Sequence, residues 1–127
     1  MPHTNKASAP VEVDIPQLEG RYVDLGGYTV AFEMYKADVD AAEFFRGLPD
    51  DRCQCPHWGV VLRGKVSFRF ADRTETYVAG DAYYAPPGHT PVVTADTEVV
   101  EFSPTEELGA TMAVLGANLA AAAEANG

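Results

Sequence analysis

Apolar positions along this chain recur mostly at a period of two, in short runs bounded by glycine and proline. Such alternation marks half-buried β-strands. Val11 to Ile15 alternates and Pro16 ends it. Arg21 to Leu25 and Tyr28 to Tyr35 flank Gly26-Gly27, a hairpin signal. In the second of these, Tyr28, Val30, Phe32 and Met34 are apolar and are expected to face a core, leaving Thr29, Ala31, Glu33 and Tyr35 outside. Cys53 to Leu62 reads as a strand closed by Gly64. Lys65 to Phe70 and Thr74 to Ala79 follow around Ala71-Asp72-Arg73, then Ala82 to Ala85, Val92 to Ala95 and Thr97 to Phe102. The segment from Pro86 to Pro91 is expected to be irregular, because proline lacks the ladder donor. Short strands at close, regular spacing, with no helix long enough for a parallel crossover, predict an all-β sandwich or closed barrel.

Two segments have helical spacing. Asp40-Ala41-Ala42-Glu43 starts a helix of two turns at most, stopped by Gly47 and Pro49. Ser103-Pro104-Thr105-Glu106 offers an N-cap serine, a proline at the first helical position and a glutamate at the third. Leu108, Met112, Leu115 and Leu119 then form an apolar stripe, and Gly109, Ala113, Gly116 and Ala120 a small-residue stripe beside it. Fraying is expected over Ala120–Gly127. The organisation predicted is a loose tail over 1–10, a β barrel over 11–103 and a C-terminal helix over 104–127, packed on the barrel or on a dimer partner.

One stretch changes the picture from fold to chemistry. Cys53, Cys55 and His57 lie within five residues, and on a strand their side chains share one face. Trp58, Val60 and Leu62 share the other face and need a cover, which with the small-residue stripe points to a homodimer. Along a regular strand the two cysteines stand about 6.6 Å apart, whereas a disulfide wants Cβ atoms roughly 4 Å apart. They therefore read as thiols or metal ligands, or as small buried hydrophobes. Pro56 in the middle of the row bends any such strand.

Composition narrows the partners. The net charge is −10, from 19 acidic and nine basic residues, with no Lys/Arg cluster. Nucleic acid and anionic membranes are excluded as partners on this ground. No stretch reaches the length of a membrane span, and Met1 to Pro10 lacks the apolar core of a signal peptide, so a cytoplasmic location is expected. Phosphate loops, dinucleotide fingerprints and hydrolase triads are missing from the sequence.

From about Cys53 to Pro104 the glycine and proline skeleton resembles a cupin, a double-stranded β-helix or jelly-roll barrel. Val61-Leu62-Arg63-Gly64 matches the end of the first cupin motif, and Gly80, Pro86 and Gly88 match the second. Counting back from Gly64, His57 stands at the motif's glutamate position, Cys53 at its second histidine and Asp51 at its first. Pro91 takes the final histidine position, with His89 two residues before it. The resemblance implies a jelly-roll barrel with a C-terminal α-helix and a rebuilt metal site at its mouth. Cys53, Cys55, His57 and His89 are the candidate ligands of a divalent metal, zinc first, with iron or copper as alternatives. Tyr83 and Tyr84 are candidate pocket residues, although neighbours on a strand diverge and one of them should face out. Glu33 and Glu101 are expected to be solvated. The expected function is a metal-dependent enzyme acting on a small molecule; a non-catalytic ligand- or metal-binding, sensing module is the alternative.

Overall fold

A computed structural model describes residues 2–126, with side chains described through residue 122. In chain order the strands are β1 (Val11–Ile15), β2 (Leu18–Leu25), β3 (Tyr28–Tyr35), β4 (Val39–Asp40), β5 (His57–Arg63), β6 (Lys65–Arg69), β7 (Thr74–Val78), β8 (Ala82–Ala85), β9 (Thr90–Val93) and β10 (Thr97–Pro104). The helix α1 (Thr105–Asn126) closes the chain, and Gly127, the last residue of the expected fraying, lies outside the described residues. Two antiparallel sheets form a jelly-roll barrel. One has the order β1-β2-β3-β10-β5-β8 and the other β4-β9-β6-β7.

Turn chemistry sets the registers. Gly26 and Gly27 both have positive φ in the β2–β3 turn, which leaves Leu25 opposite Tyr28. Gly64 joins β5 to β6 at φ 84°, and an added Cβ there would lie 2.7 Å from the Thr97 Cα, so the position admits only glycine. Val61, Val66, Phe68, Tyr83, Ala85, Val93 and Val99 form one buried cluster in the interior. A second cluster of Ala41, Phe45, Cys53 and Cys55 lies under Leu108 and Leu115 of α1. The helix is also pinned by Asn118, whose Nδ2 donates to the carbonyls of Phe44 (2.7 Å) and Arg46 (2.9 Å).

Several expectations are corrected. The Asp40 side chain caps as predicted, but residues 41–45 form a short 3-10 turn. β5 begins at His57 rather than Cys53, because Pro56 supplies no ladder donor; Cys53 instead bridges to His89. β9 includes Pro91, since β4 pairs only with Val92 and Val93 and leaves Pro91 on an edge. β10 continues through Pro104, so Ser103 is a strand residue with an inward hydroxyl. The faces of β3 differ from expectation in part, since Val30 is buried as expected. Ala31, Glu33 and Tyr35 line an internal cavity while Tyr28 is exposed, because the barrel encloses a partly polar space rather than hydrocarbon alone. In the segment before β1, the Arg21 guanidinium donates to the carbonyls of Lys6 and Ala9, and Lys6 pairs with Glu98. Among the described residues, no other part of the chain comes within 4 Å of a Cβ placed on Gly109 or Gly116 of the small-residue stripe. The helix lies along its own barrel. No described helix is long and apolar enough to cross a membrane.

Candidate metal centre

Three separate elements converge on one point of the cavity wall. His57 opens β5. His89 ends the Pro86–Gly88 loop, and Cys53 is joined to that loop by backbone hydrogen bonds, its N–H to the His89 carbonyl (2.8 Å) and its carbonyl from the Gly88 N–H (2.8 Å). The ligand atoms of Cys53, His57 and His89 all lie within 4.8 Å of one another, and all three residues are buried. The Cys53 Sγ stands 3.6 Å from the His57 Nε2. A tetrahedral zinc with ordinary Zn–S and Zn–N bonds has a sulfur–nitrogen edge of about 3.6 Å.

The far side of each imidazole is already engaged. His89 Nδ1 is 2.7 Å from the Pro86 carbonyl oxygen, which can only accept, so Nδ1 carries the proton and Nε2 the lone pair. His57 Nδ1 is 2.7 Å from Ser103 Oγ, a hydroxyl that can accept from the ring or donate to it, and 3.8 Å from Glu101 Oε1. Burial pushes both imidazoles down to about 4, and His57 adds to the effect on His89. Both are therefore neutral and ready to ligate at neutral pH. Burial pushes the Cys53 thiol up to about 11, so its proton is the one a metal must displace.

Cys55 is not brought into this group. Residues 54–56 leave the bridge as irregular chain with a bend at Cys55, so the alternation that placed both thiols on one face is broken. Cys55 is buried among Phe45 and Leu108, its thiol donates to the Pro56 carbonyl, and burial followed by the neighbouring Cys53 pushes it up to about 12. It behaves as a small hydrophobe. Both cysteines are free thiols. Asp51 is exposed and accepts from the Gly47 N–H. Tyr84 points outward and stacks on Trp58 at 5.0 Å. Tyr83 is buried between Phe68 and Tyr77 and serves the cavity through Glu101, to which its hydroxyl donates at 2.5 Å.

The cavity beside these ligands measures about 230 Å³. Its apolar wall includes Val13, Leu18, Phe45, Phe68, Met112 and Leu119, and its polar wall Glu33, Glu101, Tyr22, Ser103 and Thr111. Burial raises both carboxyls toward neutral pH, and the Glu101 charge raises Glu33 further. Ser103, read as a helix cap, and the two glutamates, read as solvated, are thus neighbours of the candidate site that the sequence did not reveal. The available signal was phase: Thr97, Val99, Glu101 and Ser103 alternate with Glu98, Val100 and Phe102, but both sets mix polar and apolar residues.

No protein-family model and no curated protein matches the sequence. Solved structures match its fold. A Rhizobium leguminosarum protein of unknown function superposes with a TM-score of 0.59 at 21% identity, over 81% of this chain and 94% of that one. The polyketide cyclase RemF from Streptomyces resistomycificus superposes at 0.57 with 17% identity, over 82% and 79%. An RmlC-like cupin from Shewanella frigidimarina superposes at 0.54 with 14% identity, over 80% and 88%.

Proposed function

With the cupin fold as the premise, we propose that this chain is a metal-dependent cupin acting on a small molecule. Cys53, His57 and His89 hold a divalent ion, zinc first, and leave a coordination position open to the cavity. One observation carries this reading: a thiol and two imidazoles meet at one buried point, with His89 Nδ1 held by a carbonyl, His57 Nδ1 held by the Ser103 hydroxyl, and no partner for either Nε2 among the described hydrogen bonds except Cys53 itself. One thiolate and two imidazoles suit zinc, iron or copper better than magnesium or calcium. Three protein ligands are the mark of an open site rather than a closed structural one. A bound ion would supply Lewis-acid polarisation of a ligand oxygen. The chain's own residues would orient that ligand through Glu33 and Glu101 and exclude water with the apolar wall. Two buried free thiols fit a reducing compartment such as the cytoplasm.

The same reading includes a homodimer. Trp58, Val60 and Leu62 on β5, with Tyr84, Phe102 and Tyr28 on neighbouring strands, are all exposed on the outer face of the larger sheet. The patch is uncharged in a molecule of net charge −10, and a two-fold copy would meet it with the same residues.

Elemental analysis of the purified protein tests the metal. About one ion per chain is expected. Ala at Cys53, His57 or His89 should remove it, while Cys55→Ala should keep it. X-ray absorption should show one sulfur and two imidazole neighbours. A chain that binds no metal, or a His57→Ala variant with undiminished content, refutes the assignment. Bound metal with a fully protein-filled shell would favour the non-catalytic module.

A further inference from the structure

Two features of the barrel interior repeat each other. Glu101 on β10 pairs across the ladder with Gly59 on β5, which in turn pairs with Tyr83 on β8. A Cβ on Gly59 would lie 2.6 Å from the Tyr83 ring, so the glycine is what admits the phenol to Glu101. Glu33 on β3 pairs with Gly20 on β2. A Cβ on Gly20 would lie 2.5 Å from the Tyr22 hydroxyl, and that hydroxyl donates to Glu33 at 2.8 Å. Both tyrosines stay protonated, since burial and then the adjacent carboxylate hold each well above its usual range. Each carboxylate is thus fixed through Oε2 and keeps Oε1 free of hydrogen bonds among the described residues. Glu33 faces Val99, two positions before Glu101, so the pair occupies adjacent strands on one cavity face. Among the described residues no lysine or arginine lines the cavity.

We infer that these two glycine-seated Glu–Tyr pairs recognise the ligand of the cavity, and that the ligand is a small, largely apolar molecule carrying a hydroxyl or amino donor rather than a carboxylate or phosphate. The inference rests on the reading of the cavity as the ligand site. Whatever their protonation, the glutamates are never cationic, and in the ionised form their free oxygens offer acceptors. An anionic ligand would be stripped of water beside two carboxyl groups with no lysine or arginine to offset it, and a divalent ion held by one thiolate would bring a net charge of only +1 against the pair. The volume lies below the roughly 300–1,000 Å³ of drug-sized pockets, so the apolar body is small.

Calorimetric titration of the full chain with 2-phenylethanol, 2-phenylethylamine and phenylacetate tests the inference. At least one of the first two should bind at least tenfold more tightly than phenylacetate. The Glu33→Gln/Glu101→Gln double variant should lose that preference. Phenylacetate binding as tightly as the others, no binding by any of the three, or an unchanged preference in a folded double variant overturns it. If the double variant does not fold, the wild-type ranking alone decides. Metal content is measured on the same samples. A metal-free wild-type chain that keeps the ranking ends the metal reading and leaves this inference standing. A metal-loaded chain that takes phenylacetate equally does the reverse.

Discussion

In the proposed metal site Ser103 would contribute without being a ligand. Its hydroxyl meets His57 Nδ1 at 2.7 Å and leaves Nε2 aimed toward Cys53. Outer partners of this kind orient the ring and typically change metal affinity by roughly 10–100-fold. Ser103→Ala should therefore weaken zinc binding by that factor in a competitive chelator titration, with unchanged secondary structure by circular dichroism. The titrating groups give a second expectation. His57 and His89 are held near 4 by burial, below the ordinary 6.5. The unfolded chain takes up protons there that the folded chain refuses, so their contribution is present above about 6.5 and is lost as pH falls toward 4. Glu33 and Glu101 are raised from 4.5, so theirs is present below about 4.5 and is lost as pH rises through about 7. The two pairs oppose each other between about 4.5 and 6.5. Removing the glutamates as Glu33→Gln/Glu101→Gln should make metal-free stability rise more steeply with pH across that window than in the wild type, measured by urea midpoints. An identical slope would contradict the placement of these groups.

At the level of elements, the strands were legible because each buries one face against the barrel and breaks at glycine or proline. β6, with Val66 and Phe68 inward, is read directly from alternation. Alternation could not fully orient β3, where an enclosed cavity made the polar face the inner one. Nor could it foresee the irregular chain at 54–56 that separates Cys55 from Cys53. The convergence of His89 with His57 depends on a bridge between segments over thirty residues apart, which no local pattern encodes. The seating of α1 is likewise a tertiary fact. Asn118, half-buried on the helix, donates to two carbonyls of the 41–46 segment. Asn118→Ala should cost about 1–2 kcal/mol in urea unfolding, since it strips two acceptors of their partner. Hydrogen exchange should quicken in α1 and leave β5 and β10 as slow as before.

For the whole molecule, the uncovered face is the outer side of the six-stranded sheet. Trp58 is 41% exposed and Leu62 51%, well above what a covered sheet face would show. In a two-fold assembly a substitution appears twice across the same contact. Leu62→Glu, alone or with Tyr84→Glu, should therefore convert a particle of twice 13.6 kDa into one of 13.6 kDa in light scattering. Metal content should not change, because the ligands lie on the opposite side of β5. A wild-type chain already monomeric at high concentration would contradict the dimer. One wall of the cavity, finally, is a single helix: Leu108, Met112, Leu115 and Leu119 all reach it from α1. None of these side chains takes part in a strand ladder, in metal ligation or in a Glu–Tyr pair. The wall is therefore an interchangeable module. Descendants of this sequence could resize the chamber by exchanging a few helix residues, with the barrel's architecture and its chemistry inherited intact.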